Sequence, residues 1–222
     1  MFLMPNALAL AAVLTLLAGS PPAAAQRPRV GLKLGGSLAQ YRGNDTFVGN
    51  GNLGGYCGGG VLALPLGPVF SVQGELLYSQ KGARSQGFPL PNNQYVSGDQ
   101  RLAYLEVPVL AKLRIPLGLF VETGPTFSYL LSARLESNGQ SLYENRSKVK
   151  PFELGYALGG GFQAENGLML GVRYCAGLTS VLRTGVYASY SNVSGEPDVH
   201  NQVFQLYAGL IFRDRSAPER SK

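Results

Sequence analysis

The chain has 222 residues, with 19 Lys and Arg against 13 Asp and Glu, for a formal net charge of +6. That charge is spread along the sequence with no basic helix or Lys/Arg block, which argues against a nucleic-acid partner. Two distant cysteines and a single histidine do not make a metal site, and thirty glycines with almost no helical periodicity point to an all-β chain.

The first element is an apolar run from Ala7 to Ala18, broken only by Thr15. It is followed by Gly19-Ser20-Pro21-Pro22 and then Ala23-Ala24-Ala25-Gln26. This predicts a secretory signal over residues 1–25, cleaved after Ala25. The run is too short to span a bilayer as a helix. No Lys or Arg precedes it, so the n-region charge falls to the amino group. Ser20 stands where a lipid anchor would need cysteine. Residues 26–212 read as one domain, and the polar, basic stretch 213–222 as a periplasmic tail.

Eight strand-like segments follow: Val30–Tyr41, Gly54–Leu64, Val69–Lys81, Arg101–Arg114, Leu119–Arg134, Pro151–Gln163, Leu168–Leu182 and a closing strand ending at Phe212. Long polar connections (Arg42–Leu53, Ala83–Gln100, Glu136–Lys148, Arg183–Asn201) alternate with short turns at Pro65–Pro68, Ile115–Gly118 and Glu165–Gly167. A meander with two unlike ends predicts an eight-stranded antiparallel up-and-down transmembrane β-barrel in the outer membrane. Its tight turns would be periplasmic and its long loops extracellular.

Within the strands, Phe70, Val72, Leu76 and Tyr78 alternate with Ser71, Gln73, Glu75, Ser79 and Lys81. Leu105, Val107, Val109, Ala111 and Leu113 alternate with Tyr104, Glu106, Pro108, Leu110, Lys112 and Arg114. The seventh and eighth strands repeat the pattern, with Arg173 and Cys175 on one side and Phe204, Leu206 and Leu210 on the other. Apolar residues toward lipid and polar ones toward the lumen is the reverse of a soluble barrel. Phe70, Phe162 and Phe212 would form one aromatic belt and Tyr56, Tyr78 and Tyr129 the other. Gly58-Gly59-Gly60 and Gly159-Gly160-Gly161 relieve crowding in a narrow barrel, since no Gly-Lys-Ser/Thr follows either to make a phosphate loop.

Lys33, Glu75, Glu106, Lys112, Glu122, Glu153 and Arg173 all fall on the inferred lumen face. Their near balance of sign favours a structural ion-pair network over an ion path or an acid/base carboxylate pair. Cys57 and Cys175 are expected to stay reduced, because their strands are not neighbours in a closed eight-strand ring. His200, beside Asp198 and downstream of Ser189, Ser191 and Ser194, raises the alternative of a lipid-acting enzyme. No nucleophile is fixed near it by the sequence, and no catalytic residue or cofactor is assigned. Arg84, Arg101, Arg134, Arg146, Lys148, Lys150 and Arg183 lie toward the long-loop end, where lipopolysaccharide phosphates would be within reach.

Glu75-Leu76-Leu77-Tyr78-Ser79-Gln80-Lys81-Gly82 and Tyr104-Leu105-Glu106-Val107-Pro108-Val109-Leu110 resemble the third and fourth strands of the PorT-like outer-membrane β-barrel family. Gly31-Leu32-Lys33-Leu34-Gly35-Gly36 and Arg173-Tyr174, with Gly177-Leu178-Thr179, extend that resemblance over the mature chain. The resemblance implies an outer-membrane barrel, and protein secretion for some members. A bulge is expected at Pro108, which cannot donate to a ladder. Together these features predict a monomeric, non-enzymatic barrel with a structural or interaction role. Its expected partners are outer-membrane lipid and lipopolysaccharide, or an envelope or secretion protein. A passive small-solute channel is the alternative, which the narrow bore of eight strands disfavours.

Overall fold

Period-two alternation lets one strand satisfy two solvents, and every long strand of this chain uses it. The computed structural model describes residues 27–43, 51–89, 95–137, 140–144, 146–183 and 198–212. The signal segment 1–25, the tail 213–222 and Ser189, Ser191 and Ser194 lie outside them.

The strands are β1 (Arg29–Arg42), β2 (Leu53–Pro65), β3 (Phe70–Pro89), β4 (Tyr95–Arg114), β5 (Leu119–Ser137), β6 (Gln140–Glu144), β7 (Phe152–Gln163), β8 (Leu168–Gly177) and β9 (His200–Ile211). All pairings are antiparallel. The order β4-β3-β2-β1-β9-β8-β7-β5 is closed by β4 against β5, and β6 pairs only with the end of β5. Eight strands therefore make a closed ring, so no sheet edge is left to face lipid.

The outer wall is apolar. Leu34, Leu38, Leu76, Val107, Leu158, Val172, Phe204 and Leu206 are all exposed, while the alternate positions Lys33, Glu75, Glu106 and Arg173 are buried. The aromatic belt at the long-loop end is broader than Tyr56, Tyr78 and Tyr129. Tyr56 stacks on Tyr78 at 5.7 Å, Tyr129 meets Phe152 at 5.0 Å and Tyr174 meets Phe204 at 4.9 Å.

Three connections differ from expectation. The stretch Ala83–Gln100 is largely strand: the β3–β4 ladder continues from Gly82↔Arg101 to Pro89↔Tyr95, with an irregularity between Ser85 and Phe88. Its sequence shows no regular apolar alternation, so the strand continuation is not marked by period two. Likewise β5 runs to Ser137 and folds back as β6 within the expected loop Glu136–Lys148. Conversely β8 ends at Gly177, short of Leu182. The amides of Leu178 and Thr179 both turn to the carbonyl of Leu154, and Leu182 instead bridges Val149.

The bulge is not at Pro108. The β3–β4 and β4–β5 registers are unshifted across it, and the β4–β5 shift falls between Ala103 and Tyr104. Pro108 interrupts the hydrogen-bond ladder without adding a residue, because β4 can stay extended while one donor is missing.

Inside, apolar layers separate the polar ones. Val61, Phe120, Met169, Tyr207 and Ile211 pack toward the short-turn end, and Ala39, Leu110, Ala157, Cys175 and Val203 pack at mid-height. Tyr41, Leu102, Leu130, Val149, Leu182 and Val199 belong to a larger cluster under the long-loop end. Cys57 and Cys175 are both buried and free.

Candidate functional site: the charged lumen

Among the described residues the lumen holds eight buried charges, four of each sign: Lys33, Lys81, Lys112 and Arg173 against Glu75, Glu106, Glu122 and Glu153. They fall into two clusters with one cation apart.

Arg173 of β8 centres the first cluster. Its Nη1 and Nη2 donate to the two oxygens of Glu75 at 2.7 and 2.8 Å, a bidentate pair from across the barrel. Its Nε and Nη2 donate to Glu122 Oε1 at 2.8 and 2.6 Å. Glu75 also accepts from Gln73 Nε2 at 2.7 Å and from Lys33 Nζ at 3.3 Å, and Glu122 accepts from Tyr207 Oη at 2.8 Å. Lys33 Nζ sits 3.5 Å from the centre of the Tyr207 ring. A planar guanidinium with five fixed donors is suited to hold two carboxylates at once, which a lysine could not do.

The sheet register explains the reach of Arg173. Glu122, Gly159 and Arg173 stand side by side across β5, β7 and β8. With no side chain at Gly159, the guanidinium lies over the backbone to meet Glu122. A Cβ there would come 3.2 Å from Glu122 Oε1 and 2.7 Å from the Val172 carbonyl. Lys33 is flanked in the same way by Gly59 of β2 and Gly209 of β9.

Lys81 of β3 centres the second cluster, nearer the long-loop end. Its Nζ lies 2.8 Å from Glu106 Oε2 and 3.0 Å from Glu153 Oε1, and donates to Ser128 Oγ at 3.1 Å. Asn201 Nδ2 donates to the other oxygen of Glu153. Lys112 belongs to neither cluster by contact. Its Nζ lies 3.7 Å from the Phe120 ring centre and 3.8 Å from Met169 Sδ, and among the described residues no carboxylate comes within 4.0 Å of it. Glu122 is its register partner across β4 and β5, but Arg173 and Tyr207 hold Glu122 Oε1.

Of the seven lumen residues read from the sequence, the structure thus gathers Lys33, Glu75, Glu122 and Arg173 in one cluster. It places Glu106 and Glu153 in the other, and sets Lys112 aside. Lys81, Gln73, Ser128, Asn201 and Tyr207 complete the network and were not in that set. Lys81 and Gln73 carry the same alternation signal as Glu75, lying six and two residues from it on the same face of β3. Alternation in the last strand already turns Tyr207 away from Phe204 and Leu206, whereas Ser128 and Asn201 become visible only once register is known.

His200 Nε2 lies 3.0 Å from Asp198 Oδ1 at the start of β9, and among the described residues no serine hydroxyl bonds to it. At the same end Arg84 pairs with Asp99 at 2.8 Å and Arg101 with Glu136 at 2.8 Å. Arg146, Lys148, Lys150 and Arg183 are gathered differently. The bridge Val149↔Leu182, with Lys150 N donating to Val181 O and Arg183 N to Lys148 O, straps two connections together and brings the four basic residues to one stretch of rim.

An antiparallel ring with an apolar outside and a buried charged inside is a transmembrane β-barrel. The chain belongs to the outer membrane protein beta-barrel domain family, whose pattern it matches over residues 22–183, and its location is the outer membrane. Among solved structures it resembles Neisserial surface protein A (NspA), at 9% identity with a TM-score of 0.53, covering 84% of this chain and 100% of that one. It also resembles Ail, the attachment invasion locus protein of Yersinia pestis, at 17% identity with a TM-score of 0.46 over 84% and 100% of the two chains. OprG from Pseudomonas aeruginosa aligns at 10% identity with a TM-score of 0.39, over 84% and 95%. No curated protein matches the sequence.

Proposed function

We propose that this protein is a sealed barrel that presents an interaction surface at its extracellular rim, and is neither a pore nor an enzyme. The observation that carries this is Arg173. Held by Glu75 of β3 and Glu122 of β5, it ties three separate walls together through the lumen. A solute would have to part buried ion pairs and leave charges unpaired, at a cost of about 3–5 kcal/mol for each pair broken. Purified protein in planar bilayers is expected to give no steady single-channel openings. Steady openings of uniform size would replace this reading with the passive channel.

The strapped basic stretch supports lipopolysaccharide as the rim's partner. Arg146 and Arg183 are exposed there, beside Lys148 and Lys150, at the long-loop end of the barrel. Charge-assisted hydrogen bonds to phosphate contribute about 1.5–3 kcal/mol each. The double variant Arg146→Gln, Arg183→Gln is therefore expected to retain lipopolysaccharide about a hundredfold less well, or worse, after detergent extraction. Equal retention by the variant and the parent would remove the partner. The PorT-like resemblance extends the interaction reading to a secretion assembly, and an unchanged profile of exported proteins on deletion of the gene would remove that extension.

A further inference from the structure

At the short-turn end, expected to be periplasmic, the turns after β4 and β7 and the outer ends of β1 and β9 line an open cavity of about 430 Å³. That size falls in the range of small-molecule sites. Its charged lining is of both signs, with Arg29 and Arg114 from β1 and β4, and Glu165 from the β7–β8 turn. Among the described residues neither arginine is ion-paired. Arg114 Nε and Gln163 Oε1 are shut off from solvent, and neither makes a hydrogen bond. Orphaned polar atoms of this kind are rare and costly.

Two unpaired guanidiniums lining one cavity repel each other unless an oxyanion lies between them. The exposed Glu165 carboxylate in the same lining suits a cation that can donate hydrogen bonds. Ile115 and Phe212 add apolar surface to the same lining, and both are exposed. The mouth lies where the lipid-facing wall of the barrel ends. An oxyanion, a donating cation and an apolar end would all be satisfied by one small guest.

We propose that this cavity binds the phosphoethanolamine headgroup of a phospholipid in the periplasmic leaflet. Arg29 and Arg114 hold the phosphate, Glu165 holds the ammonium, and Ile115 and Phe212 pack against the glycerol end.

The test uses the full chain in nanodiscs of equal phosphatidylethanolamine, phosphatidylcholine and phosphatidylglycerol, with retained lipid counted by native mass spectrometry. Phosphatidylethanolamine is expected to be retained about fivefold over phosphatidylcholine, whose quaternary ammonium has no proton to donate. Glu165→Gln should abolish that preference. Arg29→Gln and Arg114→Gln should each lower the retention of all three lipids. Unboiled gel mobility checks that every variant still closes its barrel, and the two arginine variants serve as independent checks on each other. Equal retention of the two zwitterionic lipids by the parent, or a preference that survives Glu165→Gln, overturns the proposal. Soluble O-phosphoethanolamine, titrated into lipid-free micelles, separates the sources. If it binds while no lipid is retained, the lipid assignment is overturned in favour of a free zwitterion.

Discussion

Arg173→Met is expected to destabilise the folded barrel by about 3–5 kcal/mol, read as an earlier loss of the compact, unboiled gel band on titration with urea. The substitution keeps most of the volume but removes the donors that Glu75 and Glu122 share. The two carboxylates would not suffer equally. Glu75 keeps Lys33 at 3.3 Å and Gln73 at 2.7 Å, whereas Glu122 keeps only the Tyr207 hydroxyl at 2.8 Å. A carboxylate out of water and without a cation is the costly species, more so than the loss of the pair itself. The second substitution follows from that asymmetry. Adding Glu122→Gln to Arg173→Met removes the stranded charge and leaves Lys33 with Glu75, and most of the lost stability should return. A single variant within about 1 kcal/mol of the parent, or a double variant no better than the single one, would show that the network is not what holds these walls together.

Gly59→Val should cost roughly 1–3 kcal/mol or prevent folding altogether, while Gly60→Val should change stability by no more than about 0.5 kcal/mol. The two residues are adjacent in one glycine triplet but face opposite sides of β2. A Cβ on Gly59 would stand 2.0 Å from the backbone carbonyl of Leu76, in the lumen beside Lys33. That contact is with β3 backbone, so it can be relieved only by separating two strands of a closed ring. A Cβ on Gly60 meets nothing within 4 Å and faces the lipid, where valine suits a strand. Refolding yield and urea midpoint for the two variants, measured side by side, decide the point. Equal behaviour would mean that the triplet serves backbone freedom in general and not close approach at one face.

Much of the architecture was legible before any coordinates. Glu75, Glu106 and Arg173 were placed on the lumen face, and Phe70, Leu105 and Leu206 on the lipid face, because strand side chains alternate strictly and the two solvents differ sharply. Tight turns such as Pro65-Leu66-Gly67-Pro68 fixed where the strands reverse. Strand ends were less legible where the ladder rises beyond the apolar band. The β3–β4 ladder continues from Ser85↔Gly98 to Pro89↔Tyr95, where the sequence shows no apolar alternation.

The identity of the lumen partners was not legible at all. Arg173 and Glu75 are 98 residues apart, on strands that are not neighbours, and meet only because the ring closes at one particular register. Lys112 and Lys81 looked alike in sequence, as basic residues alternating with apolar ones. Lys81 became the centre of an ion-paired cluster, and Lys112 was left over an aromatic ring. The sequence by itself determined which side of the wall each residue faces, since that depends only on the local period of two. Which charges touch, which glycine must stay bare and which basic residues share one stretch of rim were decided by register and closure, properties of the whole ring that no single strand carries.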